Sequence, residues 1–348
     1  MKIVIISPFQ TQLTRGIERF TYSIANEMAK QGHNVAIYAW KSKKPFSWGE
    51  LHDCVTLREC PNFKYYQRSW IGYYYNYLLR KDNPDRVYLN FLYHGELNLN
   101  KNFKYYYVLH SPASQIKNRY DFIKTHCEKF TNLTFVAVSK MVKRESKPYI
   151  NNKRCEVIYN GVDLNLFKPL DNNVSEQQAL NLNLITAAAF EERKGMQFMI
   201  KALSTYSQIN RIKYNIYGSG PYASELKQLI AYYKLGNYIV INKAVNNINE
   251  ILPANDLFIL LSKGEAMPIA PLEAMASGLP LLVSNYDPYP EFVNASFGYM
   301  VDRENIKQIH SVLDELLQKQ KLKQLKTNAR KAAEQFSWSK VVESYLSI

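Results

Sequence analysis

Residues 264–280 read GEAMPIAPLEAMASGLP and follow the apolar run 257–261, LFILL. The apolar run is typical of a buried strand, and ligands of open α/β sheets bind at the carboxyl ends of such strands. Two carboxylates, those of Glu265 and Glu273, stand eight residues apart directly after this strand. Their placement predicts a ligand site in the stretch.

Proline and glycine set the limits of a short helix here. Proline suits the first helical position, because its missing N–H needs no partner there, and glycine suits the residue past the last turn. The pattern predicts a helix from about Pro271 to Ser277, with Glu273 in its first turn and Glu265 on the preceding loop. Such a loop offers carboxylates to sugar hydroxyls and backbone N–H groups to phosphate. A glutamate that only offsets the helix dipole, and a solvated Glu265, are the alternatives.

The length and composition predict two globular domains. The chain has 348 residues, of which 47% are hydrophobic and 21% charged, and a domain usually takes about 150 residues. No apolar run approaches the roughly 20 residues needed to span a bilayer. Four cysteines show neither a CxxC pair nor a cysteine–histidine metal spacing, so we expect reduced thiols and no bound metal. These features predict a cytoplasmic protein that is soluble or lies peripherally on the inner face of the cell membrane.

The net charge of +14 is concentrated in the first half of the chain. Residues 1–165 carry 25 Lys and Arg against 13 Asp and Glu, whereas the remainder carries 19 against 17. The same half holds the aromatic and basic stretches 63–81 and 101–107. Lys and Arg mixed with Trp and Tyr are attracted to an anionic membrane surface. A helix with its tyrosines packed inward is the alternative, and no known nucleic-acid motif supports binding to DNA or RNA.

Strands and helices alternate along both halves. The first half opens as a strand–helix–strand unit, with Phe20, Ile24 and Met28 at helical spacing and Gly32 after the helix. Polar residues 171–178 resemble a linker, and a fresh strand begins at about residue 183. This alternation predicts two doubly wound parallel sheets, for which a cleft between domains is the usual site.

A set of motifs in fixed order resembles the retaining glycosyltransferases of family 4. The motifs are Gly16 with 32–35 (GHNV), His110 after a strand, 136–139 (VAVS), 157–163 (VIYNGVD), 193–195 (RKG), 217–221 (YGSGP) and the Glu-x7-Glu pair. The resemblance covers nearly the whole chain and implies the GT-B fold of two Rossmann-like domains facing across a cleft. It implies an acceptor-binding domain over 1–165, a nucleotide-sugar-binding domain over 166–335 and a final helix over 336–348 that packs back on the first domain.

The resemblance also implies roles for single residues. Glu265 would bond hydroxyls of the donor sugar, Glu273 would hold the ribose, and Lys194 would pair with the diphosphate. Gly16 would let the backbone approach the phosphates, and His110 would contact the transferred sugar. Catalysis would fall to Glu265, Lys194 and His110, with no metal and no cofactor besides the nucleotide sugar. The further donor-binding residues implied are Arg15, Arg193, Gly218, Ala266, Met267, Pro268 and Ile269. By themselves, Lys194 could equally be a solvated lysine and His110 a core histidine.

Two departures from the family pattern concern the diphosphate. Members usually carry an arginine five or six residues before the lysine of Lys-Gly, and here those positions hold Ala189 and Ala188. Arg15 also precedes Gly16 where two glycines are common. Arg15 and Arg193 are therefore the two candidates for the missing cation.

The expected function is a retaining, metal-independent hexosyltransferase. It would move a sugar from a nucleotide sugar, UDP favoured over GDP on the similarity of 266–269 to UDP-sugar users, to a glycan or lipid-linked acceptor in cell-surface polysaccharide or glycolipid synthesis. A low-activity or non-catalytic GT-B binding or assembly subunit is one alternative, because of the missing arginine. A nucleotide-sugar epimerase is the other.

Overall fold

The computed structural model describes residues 1–7, 16–40, 50–60, 70–90, 99–170 and 181–348. The chain divides into two compact units. The first consists of Met1–Asn160 together with Trp338–Ile348, and the second is Gly161–Ser337. Each unit contains one parallel sheet, which confirms the predicted pair of Rossmann-like domains.

Within its described residues, the first unit has seven strands in the order β3-β2-β1-β4-β5-β6-β7. Their bounds are β1 Lys2–Ile6, β2 Asn34–Trp40, β3 Val55–Cys60, β4 Arg86–Leu89, β5 Tyr105–Leu109, β6 Leu133–Ala137 and β7 Cys155–Val157. The helices are α1 Gly16–Lys30, α2 Trp70–Asp82, α3 Lys117–His126, α4 Lys140–Ser146 and, from the end of the chain, α11 Trp338–Ser347.

The second unit has six strands among its described residues, in the order β10-β9-β8-β11-β12-β13. Their bounds are β8 Leu182–Ala187, β9 Ile212–Gly218, β10 Ile239–Lys243, β11 Leu257–Leu260, β12 Leu281–Ser284 and β13 Gly298–Val301. The helices are α5 Met196–Leu203, α6 Ala223–Tyr232, α7 Ile248–Ile251, α8 Ile269–Ala276, α9 Ile306–Leu316 and α10 Lys319–Ala333.

Apolar periodicity explains the opening of the first unit. Phe20, Ile24 and Met28 are buried on one face of α1, as their spacing predicts. Gly32 follows the helix at φ +84°, a conformation that glycine adopts without the strain of a side chain. The chain can therefore turn directly from α1 into β2.

The final helix packs within the first unit. The ring of Trp338 on α11 meets the ring of Phe20 edge-on at 5.6 Å between centroids. The hydroxyl of Tyr88 and a guanidinium N–H of Arg86 both donate to the carbonyl of Tyr345, at 2.8 and 3.0 Å. Tyr345 lies in the last turn of α11, where a carbonyl has no N–H donor within the helix. The two bonds supply the missing donors.

Both sheets change direction of strand order at one point. In the first sheet this point lies between β1 and β4, and in the second between β8 and β11. Connections from these neighbouring strands leave to opposite sides of a sheet, which opens a crevice at their carboxyl ends where ligands bind. Of the described helices, none is long and apolar enough to cross a bilayer.

Candidate functional site

The crevice of the second sheet brings two separate loops together. After β8, the chain forms a short 3₁₀ turn over Glu192–Lys194. After β11, residues 261–268 lead into α8. The backbone N–H of Lys263 donates to the carbonyl of Arg193 at 2.9 Å, and this bond ties the two loops to each other. The Lys-Gly motif and the first glutamate of the Glu-x7-Glu pair therefore meet in space.

Glu265 is held by two cations. Its Oε1 accepts from Lys194 Nζ at 2.7 Å and from Arg193 Nη1 at 3.1 Å. The side chains of Glu265 and Lys194 are 9% and 13% exposed, whereas that of Arg193 is 43% exposed and also binds Glu191 at 2.6 Å. A buried carboxylate normally needs such pairing. The sequence alternative of a solvated Glu265 therefore does not hold in the structure.

Gly195 lets the 3₁₀ turn lie directly against Leu261, the residue that follows β11. It has φ +77°, and a Cβ built on it would stand 1.9 Å from the carbonyl oxygen of Leu261. A side chain at this position would have to push the turn and the strand end apart. The glycine of the Lys-Gly pair thus sets the position of the lysine before it.

The helix that carries Glu273 begins earlier than the sequence predicts. Helix α8 covers Ile269–Ala276, so the predicted start at Pro271 and end at Ser277 are wrong. Proline is tolerated throughout the first turn, because none of those N–H groups has an intrahelical acceptor, and Pro271 is the third helical residue rather than the first. Glu273 consequently lies in the second turn, buried to 4% exposure. A first-turn partner of the helix dipole is therefore not its role.

The loop residues of the predicted donor site are spread around the start of α8. Met267 is buried, and Ala266, Pro268 and Ile269 are partly buried. Pro268 is the residue before the helix and has extended backbone. The backbone N–H groups of Ile269 and Ala270 thus lie at the positive end of the helix, which suits an anion.

Gly218 has a packing reason to be glycine. It ends β9, and a Cβ there would stand 2.0 Å from the carbonyl oxygen of Ala188. The N–H of Ala188 in turn donates to the carbonyl of Tyr217 at 3.0 Å. A donor-binding role for Gly218 stays a prediction.

A buried polar group behind Glu265 was not predicted. The hydroxyls of Tyr289 and Ser262 are 2.5 Å apart, and Ser284 donates to the carbonyl of Ser262. Burial raises the pKa of Tyr289 well above its usual value, and the nearby charge of Glu265 adds to the effect. The phenol is therefore neutral and braces the loop after β11. The polar residues that end apolar runs, Ser262 and Ser284, were the available sequence signal.

In the first unit, His110 follows β5 at the carboxyl edge of the sheet. It is partly buried, and its Nε2 lies 3.4 Å from Asn90 Oδ1. Burial lowers the pKa of His110 to about 3, so the ring is neutral at physiological pH. The ring of Phe20 meets it edge-on at 4.6 Å between centroids.

Gly16 is the first residue of α1, near the same edge. No described atom lies within 4 Å of a Cβ built on it, so packing among the described residues does not require glycine there. Arg15 lies outside the described residues. Of the two candidates for the missing cation, Arg193 is the one within the described residues, and its guanidinium donates to Glu265.

The positions of the missing arginine carry small side chains at the end of β8. Ala188 is partly buried and Ala189 is exposed. Across the described residues, no three His, Cys, Asp or Glu side chains come close enough to hold a metal ion.

Two family models match the chain, one on each unit. Residues 173–332 match the glycosyl transferases group 1 model, and residues 14–166 match the glycosyltransferase family 4 model. Together with the two parallel sheets and the ion pairs of Glu265 with Lys194 and Arg193, these matches identify the class of protein as GT-B glycosyltransferases. The chain belongs to this family.

Relatives in sequence are distant. A putative glycosyltransferase EpsF of Bacillus subtilis is 28% identical over 48% of this chain and 45% of its own length. The N-acetyl-alpha-D-glucosaminyl L-malate synthase of Bacillus anthracis is 26% identical over 61% of this chain and 58% of its length. The chain thus spans about half the length of these curated relatives. An uncharacterized glycosyltransferase of Haemophilus influenzae is 21% identical over 96% of both chains.

Similar solved structures confirm the fold. Sucrose-phosphate synthase from Thermosynechococcus elongatus has a TM-score of 0.81 at 15% identity, covering 100% of this chain and 98% of that one. HepE of Anabaena, solved with UDP and glucose, has a TM-score of 0.77 at 17% identity over 100% of this chain and 98% of that chain.

Proposed function

We propose that the chain transfers a sugar, with retention of anomeric configuration, from a nucleotide sugar to a glycan or lipid-linked acceptor in polysaccharide or glycolipid synthesis. The observation that carries the proposal is the contact of Lys194 with Glu265 at the carboxyl edge of the second sheet. It joins a cation for the diphosphate to a carboxylate for sugar hydroxyls. The name of EpsF supports glycosyl transfer, and the UDP and UDP-glucose bound to HepE support a nucleotide-sugar donor with UDP favoured over GDP.

The chemistry follows from where charge develops. The acceptor oxygen bonds to the anomeric carbon on the face from which the diphosphate departs. The bond between the anomeric carbon and the diphosphate oxygen breaks, and the proton of the acceptor hydroxyl passes to an oxygen of the leaving phosphate. The principal task of the protein is then to stabilise the growing negative charge of the diphosphate. Lys194, Arg193 and the N-terminal end of α8 supply positive charge, and no metal is needed. Glu265 and Glu273 orient the donor by accepting from sugar and ribose hydroxyls.

A weakly active or non-catalytic binding subunit is the second candidate. Ala188 and Ala189 supply no charge where an arginine is usual. A charge-assisted bond contributes about 1.5–3 kcal/mol, so an uncompensated loss lowers the rate by roughly one to two orders of magnitude. Product formation from a radiolabelled UDP sugar separates an enzyme from a subunit that only binds.

A thermal-shift panel of UDP, UDP-glucose, UDP-N-acetylglucosamine, GDP and GDP-mannose tests the donor site. We expect the uridine ligands to raise Tm by several degrees, since a ligand at 100 times its Kd stabilises by about 2.7 kcal/mol. Lys194→Gln should abolish most of the shift, because the diphosphate loses its cation. Lys201→Gln, at an exposed lysine of α5, is the matched control and should keep it. A shift with GDP ligands alone contradicts the UDP preference, and no shift with any nucleotide contradicts the proposal.

Helix α2 supports a membrane-bound acceptor. Trp70, Tyr73 and Tyr77 are 63%, 61% and 62% exposed, and their spacing places them on one face. Tyr75 packs inward instead, Tyr74 is partly buried, and Tyr105, Tyr106 and Tyr107 of the second aromatic stretch are buried in β5. The alternative of inward tyrosines therefore holds for these residues, and the membrane proposal rests on the exposed face of α2. Trp and Tyr favour the membrane interface because one end of each ring is apolar and the other polar.

The charges of α2 also favour an anionic surface. Its one acidic residue, Asp82, accepts from the guanidinium of Arg58 at 2.6 and 2.8 Å. The hydroxyl of Tyr38 donates to it as well, at 2.7 Å. Arg80 and Lys81 in the last turn are exposed. The outward face therefore offers aromatic rings and cations, and we propose that it lies on an anionic membrane.

Flotation with phosphatidylglycerol-containing and pure phosphatidylcholine vesicles tests this face. We expect the protein to float with the anionic vesicles, and the triple variant Trp70→Ser, Tyr73→Ser, Tyr77→Ser to bind at least tenfold less tightly. Arg80→Gln should lower binding about fivefold, since each cation near the surface contributes about 1 kcal/mol. Tyr232→Ser, at a tyrosine 77% exposed in the second unit, is the control and should bind as the parent does. Absence from both vesicle types would refute the membrane proposal.

A further inference from the structure

A chain of buried polar side chains stands behind His110. Ser7 follows β1, Asn90 follows β4 and Thr21 faces them from α1, all with 2% exposure or less. None of the three carries a charge, and buried polar groups cost stability unless each is hydrogen-bonded. The bonds among them therefore have a defined direction.

Thr21 fixes that direction. Its Oγ1 lies 2.8 Å from the carbonyl oxygen of Ile17. A carbonyl only accepts, so the single hydroxyl hydrogen of Thr21 must lie on this bond. The oxygen of Thr21 is then left to accept, from Asn90 Nδ2 at 2.8 Å and from Ser7 Oγ at 3.1 Å.

Asn90 transmits the direction to the histidine. With its NH₂ group committed to Thr21, its Oδ1 faces His110 Nε2 at 3.4 Å. Oδ1 has no hydrogen to give, so Nε2 must carry one. In a neutral imidazole the lone pair is then on Nδ1. The backbone N–H of Asn90 donates to the carbonyl of Ile6 at 3.0 Å and keeps the amide at the strand end.

We infer that Thr21 and Asn90 are positioning residues that hold His110 as the Nε2–H tautomer, so that Nδ1 accepts a hydrogen bond from a sugar hydroxyl. The sugar in this inference rests on the proposed function, whereas the tautomer does not. Burial keeps the ring uncharged, as its lowered pKa shows, so His110 serves as a neutral acceptor rather than as an acid. A sugar with fluorine in place of that hydroxyl has no hydrogen to donate and should transfer poorly.

Long-range ¹H–¹⁵N correlation spectra of histidine-labelled full-length protein measure the tautomer directly. The signal of His110 is assigned by its loss in His110→Gln. Two other histidines give references within the same spectrum: His310 Nε2 lies 2.7 Å from the carbonyl of Ala202, and His126 Nδ1 lies 2.9 Å from that of Phe122. We expect His110 to show the Nε2–H pattern of His310. The Nδ1–H pattern of His126 would overturn the inference.

Thr21→Val and Thr21→Ser test the positioning role as a matched pair. Valine keeps the volume but removes the acceptor, so the amide of Asn90 can turn and His110 should gain the Nδ1–H form. Serine keeps the hydroxyl and should keep the parent spectrum. With a working transfer assay, kcat/KM should fall about tenfold in Thr21→Val and remain near the parent value in Thr21→Ser.

A purely structural role for Thr21 predicts a different outcome, in which Thr21→Val lowers Tm but leaves the His110 spectrum unchanged. That result would overturn the inference. Lack of sugar transfer by the parent protein would count against the proposed function instead, and would leave the spectroscopic result standing.

Discussion

Glu265→Gln should lower kcat for sugar transfer by about a hundredfold or more, the usual effect of removing one preorganised electrostatic group. Glutamine keeps the shape of the side chain but not its charge. The oxygen that accepts from Lys194 at 2.7 Å and Arg193 at 3.1 Å becomes that of a neutral amide, which binds cations and sugar hydroxyls less strongly. Steady-state kinetics with the best UDP sugar from the thermal-shift panel measures the change.

The same variant should lower Tm. Lys194, with a side chain 13% exposed, would lose its counter-charge. Breaking a fully buried ion pair costs about 3–5 kcal/mol, and partial exposure makes the expected loss about 1–3 kcal/mol here. Removing both charges in Glu265→Gln, Lys194→Met should recover part of this stability. Such a double-mutant cycle separates the energy of the pair from the effects of each substitution.

Glu315→Gln is the control for both measurements. Glu315 forms an ion pair with Lys321 at 3.0 Å, but the two side chains are 39% and 38% exposed, against 9% and 13% for Glu265 and Lys194. Exposed pairs contribute little, so kcat should be unchanged and the free energy of unfolding should move by less than about 0.5 kcal/mol. A Glu265→Gln variant that keeps at least half of the parent kcat would show that the carboxylate is not part of the catalytic site.

Long apolar runs made most of the sheet predictable. The apolar runs 105–109 and 281–284 each predict a strand, and β5 Tyr105–Leu109 and β12 Leu281–Ser284 have these bounds, because buried parallel strands leave continuous apolar stretches. Strands β3 and β13 were not predicted. Both are edge strands; β13 has only four residues, and β3 carries Arg58 and Glu59 in a pattern that resembles a loop as much as a strand.

Helix limits and side-chain partners were less predictable. Pro271 is compatible with any position of a first turn, so it could not place the start of α8 or the turn that contains Glu273. The side chains that position His110 could not be predicted from the sequence for another reason. Thr21 stands in the amphipathic sequence of α1 like any helical threonine, and its bond to Asn90 joins residues 69 positions apart. Only the folded sheet brings them together.

The pairing of Lys194 with Glu265 lies between these cases. The family motifs implied a role for each residue, but on different parts of the donor. Their bond at 2.7 Å arises because the turn after β8 and the loop after β11 leave neighbouring strands at the same edge. The cation and the carboxylate that we propose as donor-binding groups thereby also neutralise one another. The placement of both depends on the close approach of the turn to β11.

Gly195→Ala should disrupt this approach and lower both stability and activity. An alanine at φ +77° costs about 1–2 kcal/mol, and its Cβ would stand 1.9 Å from the carbonyl oxygen of Leu261. Relief of the clash must move the turn of Arg193 and Lys194 away from the strand end, at a further cost of about 1–3 kcal/mol. We expect a loss of about 3 kcal/mol in the free energy of unfolding, measured by urea denaturation. The thermal shift with UDP should also be lost.

Two other glycines separate the cost of the backbone conformation from the cost of the clash with Leu261. Gly32 has φ +84° but nothing within 4 Å of a built Cβ, so Gly32→Ala carries only the backbone cost of about 1–2 kcal/mol. Gly236 has free space too and no such backbone conformation, so Gly236→Ala should be neutral or slightly stabilising. Both should keep the UDP shift, since neither touches the turn. If Gly195→Ala lost no more stability than Gly32→Ala and kept the UDP shift, contact with β11 would not be what positions Lys194, and the ion pair with Glu265 would have to hold the lysine in place by itself.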